Sequence, residues 1–154
     1  MKFIKVFVVL ILLAGPVMAE KSRDVITIAD FDTSLQGFSF KSGKLIKVDP
    51  EAEILPLKID FIFDMPNGLG MNNSELDDWF PGEALVQDLG SIPIEEETDL
   101  IEDKFSAYLI PDEIIIGHTY LMKLAETNRY GKIHIVDIAP GNNLLAFKWV
   151  YLNK

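Results

Sequence analysis

Thr119-Tyr120-Leu121-Met122-Lys123-Leu124, Lys132-Ile133-His134-Ile135-Val136-Asp137-Ile138 and Leu144-Leu145-Ala146-Phe147-Lys148-Trp149-Val150-Tyr151 decide the fold. Two turn clusters separate them, Thr127-Asn128-Arg129-Tyr130-Gly131 and Pro140-Gly141-Asn142-Asn143. In the last stretch Leu145, Phe147, Trp149 and Tyr151 alternate with Ala146, Lys148 and Val150. A period of two puts alternate side chains on opposite faces of a strand, so these residues predict a strand with one buried face. Three strands with short turns predict an antiparallel meander. Phe147 and Trp149 are expected in the core, because burying a large apolar side chain contributes roughly 1.5–3 kcal/mol.

Upstream, the chain repeats the same grammar in shorter pieces. Val25-Ile26-Thr27-Ile28 is β-branched and ends at Asp30; Phe38-Ser39-Phe40 precedes the Ser42-Gly43 turn; Lys44-Leu45-Ile46-Lys47-Val48 stops at Asp49-Pro50. Residues 57–64 read as a half-buried strand with Ile59, Phe61 and Phe63 on one face and Lys58, Asp60 and Asp64 on the other. Residues 65–82, with Pro66, Gly68, Gly70, Pro81 and Gly82 and several Asn and Asp, read as one long loop. Within it residues 74–79 suit a single helical turn capped by Asn73 or Ser74. Residues 84–89 return to strand, and residues 95–103 form an exposed acidic linker. No segment holds a helical period over three turns. The expectation is all-β: an antiparallel β-sandwich or barrel with a C-terminal β-meander, in a single domain over residues 20–154.

Residues 1–19 carry a different pattern. Lys2 and Lys5 precede the apolar run Phe7-Val8-Val9-Leu10-Ile11-Leu12-Leu13, Gly15-Pro16 breaks it, and Val17-Met18-Ala19 follows. This is the layout of a cleavable signal helix, with the cut expected between Ala19 and Glu20. The run is too short to cross a hydrocarbon core, which takes roughly 20 residues. The expected destination is secreted or periplasmic, with no membrane span after cleavage. Cleavage would remove two of the 14 basic residues and leave 12 against 24 acidic ones, a net charge of −12. That balance disfavours nucleic acid, whose phosphates require Lys and Arg clusters. The chain has no cysteine, so disulfide scaffolds, thiolate nucleophiles and cysteine-held metals are excluded.

Candidate sites are sparse, and each has a plainer alternative. Asp64, Asn67, Asn72 and Asp77 offer oxygens at a density that suits calcium, although Pro66 and Gly68 break the EF-hand spacing. The preferred reading is a solvated loop with Asx turns. Trp79-Phe80 beside Asp77-Asp78 could stack on a sugar or meet a protein, but folding back as an apolar plug takes precedence. His118, at the entrance to a strand, and His134, pointing away from Ile133 and Ile135, could act together as metal or haem ligands. The alternative is one turn histidine and one surface histidine. Ser91 in Gly90-Ser91-Ile92-Pro93 does not form the Gly-x-Ser-x-Gly elbow, and no spacing selects a catalytic set.

Three resemblances attach to particular residues. Gly117-His118-Thr119-Tyr120, Tyr130-Gly131-Lys132-Ile133 and Phe147-Lys148-Trp149-Val150-Tyr151 resemble the ending of many uncharacterised exported bacterial all-β proteins, and imply a shared meander. Phe38-Ser39-Phe40, Gly43 and Ile59-Asp60-Phe61 are similar to segments of HmuY-type haemophores, which implies haem as a ligand class; Ile59 stands where those proteins carry a Trp. Ile28-Ala29-Asp30-Phe31-Asp32 with Gly37-Phe38 resembles the start of jelly-roll carbohydrate-binding modules. The functional expectation is an exported, non-catalytic binding or interaction domain for an unknown protein or small ligand. A carrier for haem or carbohydrate comes second and a small hydrolase third; no residue pattern specifies a cofactor.

Overall fold

A computed structural model describes residues 20–21, 24–76, 78–98, 104–125 and 129–152. Residues 1–19, expected to be a signal segment, Asp77, and residues 99–103 of the expected acidic linker lie outside the described residues. Two antiparallel sheets pack face to face as an open sandwich, not a closed barrel. The strands are β1 (Glu20–Lys21), β2 (Ile26–Ala29), β3 (Gln36–Ser39), β4 (Lys44–Lys47), β5 (Phe61–Asp64), β6 (Gly68–Met71), β7 (Leu85–Asp88), β8 (Tyr108–Leu109), β9 (Thr119–Lys123), β10 (Tyr130–Ala139) and β11 (Leu144–Leu152). The first sheet runs β11-β10-β9-β7, with β1 and β2 pairing successive stretches of β11 on its far side. The second runs β4-β3-β5-β6-β8.

The meander forms as the alternation dictates. Ile133 faces Tyr120 and Trp149, and Ile135 faces Phe147. Leu145, Phe147, Trp149 and Tyr151 are all buried. A bulge at Val136 shifts the register between Ile135 and Asp137. The inserted residue flips the pleat, so Val136 and Asp137 are exposed while Ile138 packs against the core. Between the sheets, Phe38, Phe40 and Phe61 meet Phe147 and Trp149 edge-on or tilted, with ring centroids 5.1–6.3 Å apart.

Two expectations are corrected. The strand expected over residues 57–64 is shorter, β5 beginning at Phe61. Asp60 turns inward, is buried, and accepts a hydrogen bond from the Phe40 amide at 2.8 Å. That inward turn breaks the period, so Ile59 joins Ile62 in a second apolar cluster instead of sharing the core with Phe61 and Phe63. The expected loop over residues 65–82 contains β6, which pairs with both β5 and β8. Its glycines mark close approach: Gly68 has φ +102, and a Cβ there would collide with the Leu109 carbonyl.

Both outer faces are partly roofed. Val48, Leu55, Ile59 and Ile62 form the second cluster, against which Phe31, Trp79 and Phe80 pack. Over the first sheet, Ile94 is buried, Thr119 Oγ1 donates to the Ile92 carbonyl at 2.6 Å, and Lys132 Nζ donates to the Glu96 carbonyl. Glu95, Glu96 and Glu97 are exposed, as the acidic composition leads one to expect. No helix among the described residues is long and apolar enough to cross a membrane.

Candidate functional site

Trp79 and Phe80 are half-buried. Trp79 lies edge-on to Phe31 at 5.5 Å and to Phe80 at 5.1 Å, and its indole N–H donates to the Ala52 carbonyl at 3.3 Å. The pair folds back onto the outer face of the second sheet, while Asp78 stays exposed. Asn73 opens the preceding turn: its side-chain oxygen accepts from the Glu75 amide at 2.9 Å.

The oxygen-rich residues are divided between the two ends of one hairpin. Asp64 pairs in register with Gly68, and Asn67 Nδ2 donates to its carboxylate at 2.5 Å. Asn72 lies beside Asp60, four residues away along β5, or about 13 Å at ~3.3 Å per residue. Asn72 is fully buried and spends its side chain on backbone: Nδ2 donates to Ile59 O and Pro56 O, and Oδ1 accepts from Gly82 N. No group of three or more His, Asp or Glu among the described residues is placed to hold a metal ion.

The two histidines have different hydrogen-bond partners. His118 sits with Tyr120, its ring centroid 6.4 Å away, and its Nδ1 meets the Asp88 carboxylate at 3.0 Å. His134 pairs with Thr119 in register, and its Nδ1 lies 2.9 Å from Thr119 Oγ1. The single hydroxyl proton of Thr119 goes to Ile92 O, so Oγ1 accepts from His134, which assigns the Nδ1–H tautomer. Burial lowers the His134 pKa from 6.5, the Lys148 ammonium adds to this, and Glu95 opposes it. As pH falls through 6.5 the unfolded chain therefore takes up a proton before the folded one does, and stability present above that pH is lost. In urea titrations the midpoint of the wild type is expected to drop more between about pH 7.5 and 5.5 than that of His134→Gln. Equal drops would mean that the ring makes no differential contribution.

The segment from β8 to β9 carries the most conspicuous exposed surface. Tyr108, Ile110, Ile115 and Ile116 are exposed on it, and Val136 of the β10 bulge adjoins through the Gly117 amide, which donates to Ile135 O. These five are most of the eight exposed large apolar side chains among the described residues, so the exposure is concentrated here. The segment is held firmly beneath. Ile114 is buried in the core, and the Tyr120 hydroxyl donates to Glu113 O at 2.7 Å and accepts from Ile115 N at 2.8 Å. Burial pushes the Tyr120 phenol up to about 12, so it keeps the proton that it donates. The β8 edge itself is capped: Tyr108 N and O bond Ser106 Oγ, and Ile110 N donates to Glu113 Oε2. Asp112, Glu113 and Asp137 form an exposed acidic rim.

No family model, characterised protein or solved structure matches the chain.

At the opposite end of β9, Lys41, Leu57, Lys58, Asp60, Leu124, Arg129 and Tyr151 line a cleft of about 130 Å³. Sequence reasoning passes over both places. The isoleucines 114–116 follow Pro111-Asp112-Glu113 and precede Gly117, which deny the run a strand's length. The cleft is assembled from four distant segments, and no local signal announces it.

Proposed function

We propose that the chain is an exported, non-catalytic binding domain that engages a protein partner through residues 108–116 and Val136. The observation that carries this reading is the concentration of exposed isoleucines on a segment pinned by Ile114 and Tyr120. Leaving such a surface in water is unfavourable by about 25 cal/mol per Å² of apolar area, a cost that a partner would relieve. The acidic rim and the net charge of −10 select a partner whose apolar contact is flanked by Lys or Arg. Because the β8 edge is capped by Ser106 and Glu113, recognition works through side chains and not through strand addition. Export rests on the pattern of residues 1–19, from Lys2 to the Val17-Met18-Ala19 site.

A photo-crosslinking residue at position 116, in the cell that makes the protein, is expected to capture a discrete partner. The same probe at exposed Ile54 should not capture it. With the probe kept at 116, Ile110→Ser together with Ile115→Ser, both exposed, should cut capture at least tenfold while stability changes by no more than about 0.5 kcal/mol per position, as for surface positions. Identical capture at positions 54 and 116, or capture that survives the double variant, would refute the assignment.

A further inference from the structure

The cleft beyond β9 gathers three of the chain's 14 basic residues, Lys41, Lys58 and Arg129, on a protein of net charge −10. They come from the β3–β4 turn, the approach to β5 and the β9–β10 hairpin, so the fold and not a charged run brings them together. Asp60 is the one carboxylate among the described lining residues, and its oxygens accept from Phe40 N at 2.8 Å and Ala125 N at 3.4 Å. Among the described lining residues, cations outnumber carboxylates three to one.

Arg129 is held in place by Tyr151. Its Nη1 donates to the Tyr151 hydroxyl at 2.6 Å, and its Cζ lies 5.9 Å from the centroid of that ring. A guanidinium has five N–H donors in a rigid fork that matches a carboxylate, so one anchored donor leaves four. Leu57, Leu124 and Tyr151 supply apolar wall. The volume is close to the ~150 Å³ of a cavity that accepts one benzene ring.

We propose that this cleft binds a carboxylate carried on a small apolar body, the anion meeting Lys58 and Arg129 and the body resting against Leu57, Leu124 and Tyr151. The same chemistry is found on a free organic acid and on the C-terminus of a peptide ending in an apolar residue. The site is separate from the isoleucine surface, which lies before the start of β9, about 17 Å away along that five-residue strand.

Calorimetric titration of the whole protein with benzoate at low ionic strength tests this. Saturable binding is expected, with a dissociation constant on the order of 1 mM, as suits a ligand of this size. Benzyl alcohol, which keeps the ring and drops the charge, should not bind, and inorganic phosphate should not compete at equal concentration. Lys58→Gln, an exposed position, should weaken benzoate at least tenfold with an unchanged melting temperature, and Ile116→Ser should leave the affinity as it was. A tetrapeptide ending in Leu, compared with its C-terminal amide, separates the sources: tighter binding of the peptide acid than of benzoate selects a chain end, and the reverse selects a free acid. Absence of benzoate binding at ten times that concentration, unchanged affinity in Lys58→Gln, or equal binding of benzyl alcohol or phosphate overturns the proposal.

Discussion

Phe38→Ala is expected to cost about 3–5 kcal/mol, a large share of the roughly 5–15 kcal/mol that holds a domain folded. Phe38 is fully buried and, among the described residues, is the one ring in contact with four others: Phe40 at 5.2 Å, Phe61 at 5.4 Å, Phe147 at 5.1 Å and Trp149 at 5.7 Å. Two of these belong to the opposite sheet, so the truncation opens a void where the sheets meet. The void cannot close by backbone collapse, because β3 is hydrogen-bonded on both sides, to β4 and β5. Each neighbour also loses a favourable ring contact, worth about 0.5–1.5 kcal/mol beyond area burial. The melting temperature should fall by about 10–15 °C in a chain of this length. Trp149 emission should report the change, since its ring faces the new cavity. Truncating exposed Ile54 should cost no more than about 0.5 kcal/mol, and serves as the control. A loss below about 1.5 kcal/mol for Phe38→Ala would mean that the core repacks freely, and would contradict the close aromatic contacts between the sheets.

The centre of this core is legible in the sequence because its period is local. Phe147 and Trp149 alternate with Lys148 along β11, and alternation alone places them inside. Ile59 and Ile62 escape that logic. Ile62 lies between Phe61 and Phe63, faces the other way, and is still buried, because residues from elsewhere roof the outer face. Trp79 and Phe80 help to build that roof, so the plug reading of this pair and the burial of Ile62 are one fact seen from two sides. Strand β6 was hidden for the opposite reason. Gly68 and Gly70 resemble loop composition, yet Gly68 admits the Leu109 carbonyl and Gly70 leaves room for the Ile62 side chain.

The functional surfaces are less legible, because they depend on which of several equivalent residues a turn exposes. Ile114, Ile115 and Ile116 are identical in type, and the bond from Ile115 N to the Tyr120 hydroxyl helps to fix which of them faces in. Lys58 and Arg129 lie 71 positions apart and meet only because the sandwich places the approach to β5 beside the β9–β10 hairpin. Oxygen-rich composition, by contrast, points to the wrong property at Asn72. The residue type suits a ligand, but burial has committed it to the backbone.

Asn72 therefore gives the second large effect. Asn72→Ala is expected to cost about 2–4 kcal/mol. The side chain joins three separate pieces of chain: it donates to Ile59 O at 2.8 Å and Pro56 O at 3.3 Å, and accepts from Gly82 N at 3.0 Å. Alanine leaves those backbone groups without the partner, and a buried group left unsatisfied costs about 1–3 kcal/mol. Asn72→Asp discriminates further. The carboxylate still accepts from Gly82 N, but it replaces the amide donor with an oxygen aimed at two carbonyl oxygens, in a site with no solvent exposure. Burying a charge among acceptors is worse than losing the donor, so Asp is expected to destabilise at least as much as Ala. A calcium ligand would order the two variants the other way, because aspartate is the better oxygen donor and metal would rescue it. Urea melts of both variants, with and without millimolar calcium, decide the matter. If Asn72→Asp proves more stable than Asn72→Ala and gains stability with calcium, the side chain is a ligand; the reverse order with no calcium response makes it the clasp that holds residues 56–59 to Gly82.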